Sequence, residues 1–254
     1  MKKKIVLKIG SSTLTNGTNR ISRGKIEDIA RQIVTLRDDY DIVLVSSGAI
    51  ATARQFVSVG NWDNIVESKQ ALSAIGQPKL IQIYNEVFSD FDLRIAQSLL
   101  TYRDFENDNS RINTLNTLNE LLKHNYIPII NENDTVSVEE ITFGDNDKLS
   151  GLVAALVEAD MLVLASDIDG LFDKNPHVHT DAKLIKEINN LNDAKNYIED
   201  RQSDLGTGGM QSKLQAAEIC FKYNISMYIV NGSRANFLVD TLSGKSPFTK
   251  FTVE

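Results

Sequence analysis

Short apolar runs that alternate with segments of helical period constrain this chain more than any other feature. The runs are Ile5-Val6-Leu7, Ile42-Val43-Leu44-Val45, Ile127-Pro128-Ile129-Ile130, Met161-Leu162-Val163-Leu164 and Met227-Tyr228-Ile229-Val230. Each is apolar at successive positions, so both pleat faces must be covered, as in strands buried between helical layers. Between the runs, Ile26, Ile29, Ile33 and Leu36 fall on one helical face, as do Leu115, Leu118 and Leu122. Leu149, Leu152, Val153 and Leu156 repeat the pattern, and so do Leu214, Ala217 and Phe221. This alternation predicts an α/β fold with a mainly parallel central sheet and helices on both faces.

The 254 residues suffice for one large α/β domain or two fused lobes. Four prolines and no Pro-, Gly- or Ser-rich run leave little room for a long linker. A formal net charge of −7 argues against a broad nucleic-acid face, which needs clustered cations. An acidic chain still binds anions where its few cations converge. The basic start Met1-Lys2-Lys3-Lys4 leads into an apolar run too short for a secretory signal, and no small-residue cleavage site follows. No stretch approaches the length of a membrane span. The single cysteine, Cys220, excludes an internal disulfide and fits a reducing compartment, so the expected location is the cytoplasm.

Polar, glycine-containing segments follow the carboxyl ends of the predicted strands: Gly10-Ser11-Ser12, Ser46-Ser47-Gly48, Asn131-Glu132-Asn133-Asp134 and Ser166-Asp167-Ile168-Asp169-Gly170. Ligands of open α/β sheets bind along that edge, where loops and helix N-termini present backbone N–H groups. Four such loops on one edge predict a binding cleft. Lys8 stands near the end of an otherwise apolar strand, two residues before Gly10. It reads either as a cation aimed at phosphates or as a lysine snorkelling from an edge strand. Ser47 and Gly48 read as an anion-binding strand-to-helix turn or as an ordinary Ser/Gly turn.

Asn131 to Asp134 and Gly144-Asp145-Asn146-Asp147 are dense in short polar side chains, which hold ammonium groups, make amide hydrogen bonds or cap helices. Asp147 sits where an N-cap is expected. Asn133, Asp134, Asn146 and Asp147 would also suit an amino acid's charged backbone groups. The Ser166 to Gly170 segment lacks the third acidic ligand and the closing glutamate of a calcium loop. His177 and His179 have no further ligand nearby, so no metal site is assigned. Gly206-Thr207-Gly208-Gly209-Met210-Gln211-Ser212-Lys213 places glycines ahead of a predicted helix, the arrangement in which backbone N–H groups wrap phosphate oxygens. Lys213 is unfavourable near a helix start unless an anion compensates it. The order is not that of a P-loop, and a flexible loop with a surface lysine is the other reading.

Together these segments resemble the amino acid kinase family over essentially the whole chain. The resemblance rests on Lys8-Ile9-Gly10-Ser11-Ser12, Ser46-Ser47-Gly48-Ala49-Ile50, Lys69-Gln70-Ala71-Leu72-Ser73-Ala74-Ile75-Gly76-Gln77, Ile130-Asn131-Glu132-Asn133-Asp134, Phe143-Gly144-Asp145-Asn146-Asp147 and Gly206-Thr207-Gly208-Gly209-Met210, in family order. The third, fourth and fifth segments favour the glutamate-phosphorylating branch over those acting on aspartate or N-acetylglutamate.

The resemblance implies a three-layer αβα sandwich, with a substrate lobe over about residues 1–150 and a nucleotide lobe over about 151–254. It implies ATP with Mg²⁺ held mainly through phosphates, and the first step of proline synthesis. Lys8, Lys213 and Asp147 would form the catalytic set, the lysines neutralising the transferring phosphoryl group and Asp147 orienting them. Ser47, Gly48, Asp134 and Asn146 would bind L-glutamate. Lys8, Gly10, Ser166, Asp167, Thr207, Gly208, Gly209, Met210, Gln211, Ser212 and Lys213 would hold ATP. The implied partners are proline as feedback inhibitor, a glutamyl phosphate reductase for hand-over, and a second copy of the chain in a dimer or tetramer, with no nucleic acid or membrane. Many bacterial relatives carry a C-terminal PUA domain, and the expectation here is a single kinase domain without one. Other carboxylate or carbamate acceptors, and a non-catalytic sensing module, are the competing readings. One geometric condition follows: residues 8 and 213 must meet.

Overall fold

The computed structural model describes residues 2–57, 65–137, 146–176, 178–199 and 207–252. Its strands are β1 (Lys3–Ile9), β2 (Tyr40–Ser46), β3 (Arg94–Leu100), β4 (Tyr126–Glu132), β5 (Met161–Ser166), β6 (Glu187–Ile188), β7 (Ser226–Asn231) and β8 (Phe248–Phe251). They form one sheet in the order β3-β4-β2-β1-β5-β7-β8-β6. The strands from β3 across to β7 pair in parallel, and β8 pairs antiparallel with β7. All five apolar runs of the sequence are strands of this sheet. Strand β1 is central, and the chain moves outward from it in both directions, to β2 and β4 on one side and to β5 and β7 on the other. Such a topological switch opens a crevice at the carboxyl edge of the sheet.

Among the described residues the helices are α1 (Ser11–Thr15), α2 (Arg23–Leu36), α3 (Ala49–Ala53), α4 (Val66–Ser89), α5 (Arg103–Glu106), α6 (Asp108–Lys123), α7 (Asp147–Leu156), α8 (Leu191–Glu199), α9 (Thr207–Lys222) and α10 (Phe237–Leu242). Two separate cores make the three layers. On one face Val6, Val43, Val45 and Leu164 pack against Leu118 of α6, Leu149 and Val153 of α7, and Leu214 and Ala217 of α9. On the other, Ile5, Leu7, Leu44 and Val163 pack against Ile26 and Ile33 of α2, Leu80 and Tyr84 of α4, and Phe237 of α10. Neighbouring residues of one strand thus serve opposite cores, which is why the runs show no alternation. Each such aliphatic side chain contributes about 1.5–3 kcal/mol on burial.

The pleat of β1 puts Lys4, Val6 and Lys8 on the α7 face. Lys4 Nζ donates to the carbonyl of Val157, the C-cap of α7, at 2.9 Å. Lys8 Nζ reaches Asp147 Oδ1 at the helix's first residue, at 2.7 Å. Four residues of strand span about 13 Å and ten of helix about 15 Å, so the two lengths match.

Candidate active site

Lys8 is 4 % exposed on the central strand, so the snorkelling edge-strand reading is corrected. A lysine buried there is costly unless paired. Its partner is Asp147, itself fully buried. The other carboxylate oxygen, Oδ2, accepts from Lys213 Nζ at 2.9 Å and from Ser212 Oγ at 3.0 Å. Two lysines 205 positions apart therefore converge on one carboxylate, and the three groups sum to one positive charge.

The packing of α7 on α9 brings Asp147 and Lys213 together. A Cβ on Gly151 would stand 3.2 Å from Ala216 Cα, so the helix backbones approach closely one turn beyond the two charged residues. Two local expectations are corrected. Asp147 is the first residue of α7, and Asn146 is the N-cap. Thr207, Gly208 and Gly209 belong to the first turn of α9, with no loop between them and the helix; Lys213 lies in its second turn and folds back on the carbonyl of Gly209 at 3.0 Å. Its charge opposes the helix dipole there, which an anion at the helix start would offset.

Around this trio the strand ends supply backbone and short polar groups. Gly10 follows β1, and a Cβ there would sit 3.6 Å from Lys8 Nζ, in the space beside the ammonium. Ser47 N donates to the carbonyl of Ile9 at 3.0 Å, tying the exits of β1 and β2. Gly48 has φ 105°, a left-handed conformation that favours glycine, and caps α3. Ser166 ends β5, and its hydroxyl donates to Asp167 Oδ1 at 3.1 Å. Beside it Asp169 takes a bidentate pair from Arg234, at 2.9 and 2.7 Å, and a third hydrogen bond from Asn231 at 3.0 Å. These join the β5 and β7 exits. Met210 is half-buried and Gln211 exposed.

On the β2–β4 side the polar groups include uncharged amides, serine hydroxyls and the buried carboxylates of Glu132 and Asp134. Asn146 Nδ2 lies 3.1 Å from the carbonyl of Ser46, 3.2 Å from Ser47 Oγ and 2.7 Å from Asn131 Oδ1. Asp134 Oδ2 accepts from Ser73 Oγ at 2.7 Å. Lys8, Asp147, Lys213 and Ser212 are thus gathered in one cluster, and Ser47 and Asn146 in another. Asp134 is anchored to α4, while Ser166 and Asp167 stand at the neighbouring strand end. Gly144, Asp145, His177 and Gly206 lie outside the described residues.

Four contributors receive no site role from the sequence: Ser73 and Gln77 of α4, Asp169 and Arg234. The first two lie in the Lys69 to Gln77 stretch, spaced one helical turn apart, which is the signal that points to them.

The model of the amino acid kinase family matches residues 3–231. The chain belongs to that family. Among its curated relatives, "Glutamate 5-kinase" of Alkaliphilus metalliredigens is 43 % identical, over 98 % of this chain and 95 % of its own. "Glutamate 5-kinase" of Pasteurella multocida is 41 % identical, over 99 % of this chain and 69 % of its own. That of Caldanaerobacter subterraneus is 43 % identical, over 98 % and 67 %. The crystal structure of UMP kinase from Ureaplasma parvum superposes with a TM-score of 0.68 over 99 % of both chains at 18 % identity, a likeness of fold. Among the described residues no helix is long and apolar enough to cross a membrane.

Proposed function

We propose that this chain is an enzyme transferring the γ-phosphoryl group of ATP to the side-chain carboxylate of L-glutamate, giving L-glutamyl 5-phosphate and ADP, the first step of proline biosynthesis. The observation that carries the reading is the convergence of Lys8 and Lys213 on Asp147 at the carboxyl edge of the sheet. The relatives' shared name supports the acceptor.

The acceptor carboxylate is ionised at neutral pH and needs no general base. One of its oxygens attacks the γ-phosphorus, and the bond from that phosphorus to the β–γ bridging oxygen breaks, leaving the electron pair on ADP. What the site must do is bring two anions into line and spread the charge of a loose transition state. Lys8 and Lys213 lie against the transferring group in this reading, and Asp147 keeps both ammonium groups in place. The start of α9, with Ser166 and Asp167, holds the nucleotide. Ser47, Gly48, Asp134 and Asn146 hold glutamate.

Among the described residues no three or more His, Cys, Asp or Glu side chains group as metal ligands. Asp147 is already engaged by two ammonium groups, so the residues fit a Mg²⁺ that arrives on the phosphates. Bound there, it would neutralise phosphate charge. The strands on the β2 side of β1 belong to the substrate lobe, about 1–150, and those on the β5 side to the nucleotide lobe, about 151–254. The product is a labile acyl phosphate, which calls for a reductase as its consumer. The cytoplasm, a homo-oligomeric state and feedback by proline complete the proposal.

The test is ADP release with glutamate, aspartate, N-acetylglutamate, carbamate and uridine monophosphate as acceptors. Turnover confined to glutamate is expected. Preferred turnover of another acceptor would overturn the assignment, and no turnover with any of them would count for the sensing module.

A further inference from the structure

One turn of α4 underlies the substrate side of the cleft. Ser73, Gly76 and Gln77 occupy its buried face. Gln77 Oε1 accepts from Asn131 Nδ2 at 2.8 Å. Asn131 Oδ1 accepts the backbone N–H of Glu132 at 3.0 Å and Asn146 Nδ2 at 2.7 Å. Two of the three amides, Asn131 and Asn146, are oriented by backbone groups of fixed polarity, and Gln77 follows from Asn131. The N–H of Glu132 only donates, so the oxygen of Asn131 must face it. The carbonyl of Ser46 only accepts, so the nitrogen of Asn146 must face it at 3.1 Å. Each amide is thereby held in one of its two flips. Asn146 Oδ1 is buried and, among the described residues, has no hydrogen-bond partner. A buried amide oxygen in that condition is costly in the absence of a donor.

We infer that Gln77 is a positioning residue for the amino-acid acceptor. Through Asn131 it holds Asn146 with the amide oxygen directed to the acceptor's α-ammonium group, while Ser73, one turn earlier, sets the carboxylate of Asp134 for the same cation. The inference rests on the assignment of glutamate to the β2–β4 side. It specifies why a polar glutamine and serine sit at buried positions of a helix that otherwise packs on an apolar core.

The test is steady-state kinetics of the full chain with glutamate and ATP varied separately. Gln77→Met removes the acceptor for Asn131 Nδ2. It is expected to raise the glutamate KM about tenfold, the size of one buried hydrogen bond, with kcat and the ATP KM changed less than about threefold. In an Asn146→Ala background the same substitution should change the glutamate KM less than about twofold, because its effect passes through Asn146. Additive effects in the double variant would overturn the relay, as would a Gln77→Met enzyme with unchanged glutamate KM. If Asn146→Ala alone left the glutamate KM unchanged, the assignment of the substrate side would be the part that fails. Gln77→Glu keeps a side-chain oxygen for Asn131 and is expected to hold the glutamate KM within about threefold, which keeps the proposal testable if the methionine variant does not fold. A tenfold rise in Gln77→Glu counts against it.

Discussion

The two sides of the cleft are built from different interactions. On the β5 side the working groups are charged: Lys8, Asp147 and Lys213 form a buried ionic trio, and Asp169 with Arg234 clamps the adjoining strand ends. On the β2–β4 side a chain of neutral amides leads from Gln77 to Asn146, flanked by the buried carboxylates of Glu132 and Asp134. Charge suits a side that meets triphosphate, where electrostatic stabilisation dominates. Directional hydrogen bonds suit a side that must tell one small amino acid from another, because unpaired polar groups penalise the wrong ligand. In the proposed reading the difference separates rate from recognition.

The largest expected effect breaks the charged side. Lys213→Met should lower kcat by about 10²–10³, as for the loss of one donor to a developing negative charge. The protein should still fold, because Asp147 keeps Lys8 at 2.7 Å. A loss under tenfold would remove Lys213 from the phosphoryl-transfer step. Circular dichroism checks the fold.

The next prediction compares the close helix contacts that build each side. A Cβ on Gly76 would lie 1.8 Å from the carbonyl oxygen of Ala49, against 3.2 Å for Gly151 and Ala216 Cα. Gly76→Ala should therefore destabilise by about 2–3 kcal/mol through overpacking and shift α3 with Ser47 and Gly48. In Gly151→Ala the milder contact is offset by the better helix propensity of alanine, about 1 kcal/mol. Chemical denaturation measures both, and equal losses would erase the contrast.

Asp134→Ala comes third, with an expected rise of about tenfold in the glutamate KM and little change for ATP, the size of one charged hydrogen bond. A rise in the ATP KM with glutamate unaffected would exchange the two sides. The smallest effect lies outside the cleft. Burial of Cys220 on the core-facing side of α9 pushes its thiol up to about 12 from 9.0. Below about pH 9 the folded and unfolded chains both keep the proton. Above it the unfolded chain loses the proton first, so stability should decline from about pH 9 towards 12. Native protein at pH 8 should resist a thiol reagent that labels the unfolded chain; rapid native labelling would contradict this burial.

These contrasts were unequally visible in the residues. The apolar strands β1, β2, β4, β5 and β7 are legible because both faces are buried. The edge strand β3 is hidden, because its Arg94 to Leu100 run is exposed or half-exposed at all but its last residue and shows no apolar block. Helix α4 is obscured for the opposite reason: its buried stripe includes Ser73, Gly76 and Gln77, so polar residues interrupt the apolar period. Lys8 and Lys213 stand out as lysines next to glycine turns. Their meeting at Asp147 depends on strand order and on the Gly151 contact, which no local pattern encodes. The amide chain escapes for a similar reason, since its links join residues 54 and 15 positions apart.

The matched lengths of β1 and α7 have one more consequence. Lys4 and Lys8 serve the two ends of the same helix only while an odd number of residues separates them. Deleting Val6 would turn one ammonium group toward the α2 layer, away from Asp147, even though no polar residue had been removed. Parity along a single strand thus governs whether Lys8 can join Lys213 at Asp147.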